Sequence, residues 1–268
     1  MARKSLLTLL GLALASTASA DWVFNMPEGI TKLSKETYDL HMMVFWVCVA
    51  IGFVVFGIMI ISLIRHRKSR GVTAATFTHS TAAEIIWTAI PCVILLFMAV
   101  PAAETLIRLE DSRDPQLSVV ITGYQWRWHY QYQDEGVGFY SSLAQSSAQA
   151  RMKGSGIDPY SVEHYLLDVD NPLVVPKDRK IRVLLTSNDV VHSWWVPQLA
   201  IKKDAIPGRI NEVWFRAAEA GTFRGQCAEL CGRGHGYMPI VVKVVEPQEF
   251  DAWLAKQKSD TAQAAANN

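Results

Sequence analysis

The sequence predicts a two-helix transmembrane hairpin carrying an all-β domain, and three observations lead to that expectation. Two uncharged runs, residues 42–64 and 85–103, are each about as long as the ~20 residues needed to cross a bilayer. The basic cluster Arg65-His66-Arg67-Lys68-Ser69-Arg70 lies between them. Beyond Asp114 the chain is rich in β-branched and aromatic residues broken by Gly, Pro, Asn and Asp, the pattern of many short strands.

Taken in order, residues 1–20 combine a basic start (Arg3, Lys4), an apolar run and Ala18-Ser19-Ala20, which is the layout of a signal peptide. A mature chain beginning near Asp21 follows, with 21–41 as an exported N-terminal segment. The first span, 42–64, leads into a basic loop, 65–84, which the positive-inside rule assigns to the cytoplasm. The second span, 85–103, contains Pro91 and Pro101, which membrane helices tolerate better than soluble ones. Both outer ends of the hairpin are then expected on the export side, in the inner membrane of a bacterium, with residues 104–257 forming the exported domain.

Charge agrees with this division. The chain has 26 basic and 25 acidic residues; without the bases of the signal segment and of the loop cluster, 20 basic residues face 25 acidic ones. The exported part is mildly acidic, which suits a basic partner and suggests no nucleic acid.

Within the exported domain, strands are expected at 117–133, 165–168, 173–175, 180–187, 193–196, 210–216, 221–224 and 240–245. Turn signals fall at Asp170-Asn171-Pro172, Ser187-Asn188-Asp189 and Ile206-Pro207-Gly208. A sandwich or Greek-key barrel follows. Residues 136–159, rich in Ser, Ala, Gln and Gly, are expected to be an irregular surface insertion. A short helix is expected over 247–257, and a disordered tail over 258–268.

The densest chemistry lies in "GQCAELCGRGHGYMP", residues 225–239. Cys48 and Cys92 sit within the apolar runs, where a thiol packs as a small hydrophobe. Cys227 and Cys231 face an oxidising compartment, and on their own a disulfide is as good a reading as a metal site. His235 and Met238 extend the pattern to C-x3-C-x3-H-x2-M, a soft set that suits copper. Zinc fits poorly because methionine is not among its usual ligands, and the Cys-x2-Cys-His of covalent haem is absent. A mononuclear blue-copper site uses one cysteine. Two coppers bridged by both sulfurs would use the second thiolate and would call for another histidine. His192, opening "HSWWVPQL", is the best placed, while His129 and His164 read as ordinary polar histidines. The Glu229 carbonyl could act as a weak copper ligand, with the carboxylate turned to a harder cation such as magnesium.

The motifs "GYQWRWHY", "DVDNPLVVP", "VHSWWVP", "KKDAIPGRIN" and "GQCAELCGRGHGYMP" resemble those of subunit II of haem-copper cytochrome c oxidases of bacterial type, from the first span to Val245. The resemblance implies a cupredoxin-like barrel with the dinuclear copper centre CuA, held by His192, Cys227, the Glu229 carbonyl, Cys231, His235 and Met238. It also implies magnesium at Glu229 against subunit I, which would hold the haems and the oxygen-reducing copper. Electrons would arrive from cytochrome c at Trp126, and Glu84 would mark the mouth of a proton pathway. The sequence alone reads Trp126 differently, as one of Tyr124, Trp126, Trp128 and Tyr130 alternating onto one sheet face. Glu84 reads equally as a helix-start carboxylate. A basic cytochrome c would call for an acidic dock, for which Asp134, Glu135, Asp168, Asp170 and Asp189 are candidates. Trp195 and Arg127 depart from the family pattern beside the expected acceptor site. Two other functions compete: a tethered copper carrier without an oxidase partner, and a structural domain closed by a Cys227–Cys231 disulfide.

Overall fold

The structure is a computed structural model that describes residues 25–73 and 75–266. The expected signal segment lies outside the described residues.

Helix α1 (Lys32–Arg65) and helix α2 (Thr81–Glu110) are both long and apolar enough to cross a membrane. They are longer than the uncharged runs because polar turns extend them toward the β domain and the loop. Thr31 starts α1 with a reciprocal cap: the Ser34 amide donates to Thr31 Oγ1 at 2.8 Å and the Thr31 amide to Ser34 Oγ at 2.9 Å. Side chains such as Phe53, Leu63, Leu96 and Phe97 are two-thirds or more exposed. Such apolar surface is costly in water and is at home in lipid. The helices are antiparallel: near the domain Arg108 Nε of α2 donates to Glu36 Oε2 of α1 at 3.0 Å. Pro91 and Pro101 lie within α2 without ending it.

Ten strands follow among the described residues: β1 (Leu117–Tyr124), β2 (Arg127–Tyr132), β3 (Val137–Ser141), β4 (Leu173–Pro176), β5 (Ile181–Ser187), β6 (His192–Val196), β7 (Ile201–Ala205), β8 (Asn211–Phe215), β9 (Gly221–Cys227) and β10 (Pro239–Val245). They form two five-stranded sheets, ordered β3-β2-β1-β5-β8 and β4-β10-β9-β6-β7. β1 runs parallel to β5 and β4 parallel to β10; the other pairs are antiparallel. Alternation along the strands sends one row of side chains into the space between the sheets. Val119, Ile121, Trp128, Tyr130 and Val183 meet Trp194, Val196, Ile240 and Val242 there, all essentially without exposure.

The sandwich is tied to the helices at the end where β1 begins. The Trp214 indole donates to Arg108 O at 3.1 Å, Lys180 Nζ to Asp111 O at 2.8 Å, and Ile30 N to Gln198 O at 2.9 Å. The opposite end gathers the far ends of β1, β5 and β9 with the starts of β2, β6 and β10. Eight residues of β1, or ~25 Å of strand, separate the two ends.

Several expectations need correction. The run 117–133 is two strands, because the chain reverses at Gln125-Trp126 and Tyr124 pairs with Arg127. The four aromatics therefore do not share a face: Trp128 and Tyr130 point into the core, Tyr124 packs on Tyr140 outside it, and Trp126 sits in the turn. Residues 165–168 form turns rather than a strand. Strand β7, "IKKDA", appears where the charges concealed it: Ile201 and Ala205 face inward while Lys202 faces out. The insertion 136–159 is not irregular throughout, since it supplies β3, paired with β2, and the short helix α3 (Gln145–Ala150). Helix α4 (Pro247–Ala266) continues through most of the expected tail. Its first turns bury Phe250 and set Trp253 against Tyr132, 5.4 Å between ring centroids.

Candidate metal centre

At the end away from the helices, three elements converge. His192 opens β6, Cys227 closes β9, and the loop between β9 and β10 carries Cys231 and His235. The ladder sets their spacing. β6 pairs with β9 through Trp194 and Cys227, and β9 with β10 through Gln226 and Pro239. The Cys227 amide donates to Met238 O at 3.0 Å and closes the loop at its neck.

The donor atoms form a chain. His192 Nδ1 lies 3.9 Å from Cys227 Sγ, Cys227 Sγ 3.8 Å from Cys231 Sγ, and Cys231 Sγ 3.6 Å from His235 Nδ1. The ligand atoms of His192, Cys227 and Cys231 all fall within 4.8 Å of one another, and all three residues are buried. The Glu229 carbonyl is 3.3 Å from Cys227 Sγ, with its side chain exposed. Met238 is buried in the same core as the two cysteines. The cysteines are two free thiols, so the disulfide-closed loop is not what this fold presents. Two sulfurs flanked by two imidazole nitrogens, a thioether and a carbonyl make a soft donor set, and a copper site fits it.

Two contacts fix the His192 ring. Nε2 lies 2.9 Å from Asp189 Oδ1, which leaves the Nδ1 lone pair directed toward Cys227. A Cβ at Gly123 would come within 2.6 Å of the ring, so glycine is what lets β1 approach it. Burial lowers the His192 pKa, but hydrogen bonding with Cys227 and Asp189 outweighs it and the net shift is upward. Burial also opposes ionisation of Cys227; hydrogen bonding with His192 and the Ser193 backbone overcomes it and brings the thiol down. Cys231 is pushed up by burial and by the charge of Cys227. One thiolate forms readily, and a cation supplies the charge that makes the second affordable.

Trp126 is joined to this centre. Its indole Nε1 donates to Cys231 O at 3.0 Å, and Gln125 Nε2 donates to the same oxygen at 2.9 Å. A Cβ at Gly234 would fall 2.3 Å from the indole, so the loop can cover the ring only with glycine there. The Gln125 amide donates to Asp189 Oδ2 at 2.7 Å. Asp189 thereby connects the β1–β2 turn to His192. Sequence reading placed Asp189 in a docking patch and missed this role, although its position three residues before a candidate ligand was the available signal.

The other expected docking acids are scattered, and of them Asp170 is tied to Ser142, on the wall of the cavity beside Trp126. Asp134 and Glu135 lie in the β2–β3 turn, at the opposite end of β2, and Glu135 pairs with Lys258. Asp168 pairs with Arg224 at 3.7 Å, and Asp170 accepts the Ser142 and Asn171 amides at 2.7 Å each. Turns and ion pairs thus claim these carboxylates. Trp195 is also away from the site: it faces outward beneath the start of α1, in a cavity with Pro27 and Thr37. Glu84 is exposed in the first turn of α2, 26 residues and ~39 Å of helix from Glu110. It has no contact with the metal centre.

Fold and site together define a class: a membrane-anchored β-sandwich domain with a sulfur-rich donor cluster, fit for copper, at one end. Residues 117–245 match the family described as cytochrome C oxidase subunit II, periplasmic domain, and residues 19–105 match its transmembrane domain. A probable cytochrome c oxidase subunit 2 of Rickettsia bellii is 35% identical over 97% of this chain and 95% of its own length. The cytochrome c oxidase subunit 2 of Cereibacter sphaeroides is 36% identical over 85% of this chain and 78% of its own. The solved periplasmic domain of subunit II (CoxB) of Bradyrhizobium japonicum is 41% identical, with a TM-score of 0.49, over 56% of this chain and 98% of that one. The chain belongs to the cytochrome c oxidase subunit II family and is part of an oxidoreductase complex.

Asp189→Ala is expected to leave the sandwich intact but free the His192 ring, weakening copper binding by about 10–100-fold. Competitive copper titration of the reduced protein measures this; unchanged affinity would remove Asp189 from the site.

Proposed function

We propose that this chain is the subunit that accepts electrons from cytochrome c and passes them to the haem- and copper-bearing subunit I of a proton-pumping oxidase. The observation that carries this reading is the run of four donors, His192, Cys227, Cys231 and His235, with successive gaps of 3.9, 3.8 and 3.6 Å. His192, Cys227, Cys231 and His235 would hold the copper, with Met238 and the Glu229 carbonyl as weaker donors. Copper bound there supplies one-electron transfer.

The protein's own residues do the rest. The ladder around β6, β9 and β10 keeps the ligands from moving as charge changes, which favours electron transfer over substrate chemistry. Asp189 and Gly123 hold His192 in one orientation. Trp126, partly exposed, donates to the backbone oxygen of Cys231, so a short path of one hydrogen bond and a few covalent bonds joins the surface to a ligand sulfur. This path supports Trp126 as the point where electrons come in. The exposed Glu229 carboxylate, on the outside of the same loop, is suited to a magnesium ion shared with subunit I.

Two spanning helices joined by the Arg65–Arg70 cluster support an orientation with both termini on the export side, here the periplasmic face of a bacterial inner membrane. Glu84 then lies at the cytoplasmic surface, where a carboxylate can collect protons for subunit I.

Cys227→Ser or Cys231→Ser is expected to abolish the absorption and mixed-valence paramagnetic spectrum of a two-copper centre; an unaltered spectrum would refute the ligand assignment. Trp126→Ala is expected to keep that spectrum and slow reduction by cytochrome c about tenfold or more, or about 1.4 kcal/mol in the barrier. Stopped-flow absorbance reads this, and a normal rate would rule out the role. Glu84→Ala should lower steady-state oxygen consumption roughly tenfold or more while reduction by cytochrome c continues unslowed. Full oxygen consumption would remove Glu84 from the proton path.

A further inference from the structure

Two arginines, Arg151 and Arg233, share a cavity with Trp126, and a third, Arg127, is its chain neighbour. Arg127 lies over Tyr140, 4.1 Å from the ring centroid. Arg233, on the ligand loop, is 5.9 Å from the Trp126 ring, and Arg151, just beyond α3, is 4.4 Å from the ring of Tyr237. Trp126, Arg151, Arg233, Tyr237 and Ser142 line a cavity of about 510 Å³, whose lining residues include no acidic side chain.

These guanidinium groups are uncommitted. None of the three forms an ion pair with a described residue, whereas Arg179, Arg182 and Arg224 each do, with Asp251, Glu212 and Asp168. A guanidinium stacked on an aromatic ring keeps its N–H edge free and held in one plane, ready for a carboxylate. The neighbouring acids are occupied: Asp170 by the Ser142 and Asn171 amides, Asp189 by Gln125 and His192. Glu229 is exposed on the ligand loop, where the proposed magnesium position faces it toward subunit I.

Arg151 is placed deliberately by the 136–159 segment. β3 extends the sheet beside β2, and Ser147 and Ala150 of α3 are buried, with Ser147 Oγ accepting the Leu166 amide at 3.0 Å. The segment thus forms one wall of the cavity beside Trp126.

We propose that Arg127, Arg151 and Arg233 form a cationic collar that selects an electron donor with carboxylates around its exposed redox edge: an acidic c-type cytochrome rather than a basic one. This rests on Trp126 as the electron-accepting point. A collar of fixed charge raises encounter rates for an oppositely charged partner by about 10–1,000-fold and acts chiefly on association.

The test uses the assembled oxidase, reduced in a stopped-flow instrument by an acidic and, separately, a basic c-type cytochrome. The acidic donor is expected to react about tenfold or more faster at low ionic strength, an advantage that disappears near 0.5 M salt. Combining Arg151→Glu with Arg233→Glu is expected to erase or invert the ratio of the two rates; Arg151→Gln and Arg233→Gln singly, read by the same ratio, serve if the double variant reacts with neither donor. A faster basic donor, or a ratio that no arginine variant changes, would overturn the collar. Trp126→Ala separates the two readings. If it slows both donors while the arginine variants leave their ratio fixed, the collar alone fails; if neither donor is slowed, the assignment of Trp126 fails.

Discussion

The arrangement depends on keeping two cysteine sulfurs 3.8 Å apart inside a protein. Two thiolates at that distance repel, and burial makes each harder to ionise; the shifts run apart, Cys227 down and Cys231 up. Such a pair calls for a cation between the sulfurs and for a scaffold that resists their separation. The Cys227–Met238 backbone bond closes the loop at its base, and the pairing of β9 with both β6 and β10 prevents the base from shifting. A two-sheet core behind it, with Trp128 and Trp194 fully buried, makes the platform rigid.

The surroundings of the centre follow from that constraint. A fixed His192 needs a fixed hydrogen-bond acceptor, and Asp189 serves from the β5–β6 turn. Asp189 in turn anchors Gln125, whose amide and side chain hold the β1–β2 turn over Cys231. Trp126 occupies that turn, so the same hydrogen bonds that orient a ligand also aim the aromatic ring. Gly123 and Gly234 are where backbone and ring come closest, and a methyl group at either would collide. The orientation of His192 and the placement of the Trp126 ring are thus one structural problem, solved by one turn.

Much of this was legible in the sequence. The gathering of His192, Cys227, Cys231 and His235 could be read from C-x3-C-x3-H-x2-M and one distant histidine because metal chemistry restricts residue type and spacing more tightly than folding does. The helices were legible because lipid demands long uncharged runs. The failures share a physical cause: local pattern does not report what the partner strand supplies. "IKKDA" is a strand because Ile201 and Ala205 face the core, while Lys202 is exposed and Lys203, half-buried, reaches Glu110. The β1–β2 turn lay hidden in an aromatic run whose one glycine, Gly123, falls within β1 rather than in the turn. β3 and α3 lay in a Ser- and Ala-rich segment whose burial comes from neighbours distant in sequence. The tie of Asp189 to His192 was hidden for the same reason, since its partners come from the β1–β2 turn and β6.

The collar around Trp126 shows the limits of composition in electrostatics. Outside residues 1–20 and the 65–70 cluster the chain has more acidic than basic residues, yet Arg151 and Arg233 line the cavity beside the ring and Arg127 follows it, none of them in an ion pair with a described residue. At physiological ionic strength the Debye length is about 8 Å, so a docking partner senses the charges within roughly that distance and little of the total. Carboxylates that accept backbone amides in turns, as Asp170 and Asp189 do, have part of their field cancelled by the dipoles they bind, and Asp168 and Glu135 are offset by Arg224 and Lys258. Arginines set over Tyr140 and Tyr237, at 4.1 and 4.4 Å from the ring centroids, keep their charge, and Arg233 lies 5.9 Å from the Trp126 ring. Pairing and position, more than the number of acids, set what the face around Trp126 presents, and that face is the one a donor must approach to reach the ring joined to Cys231.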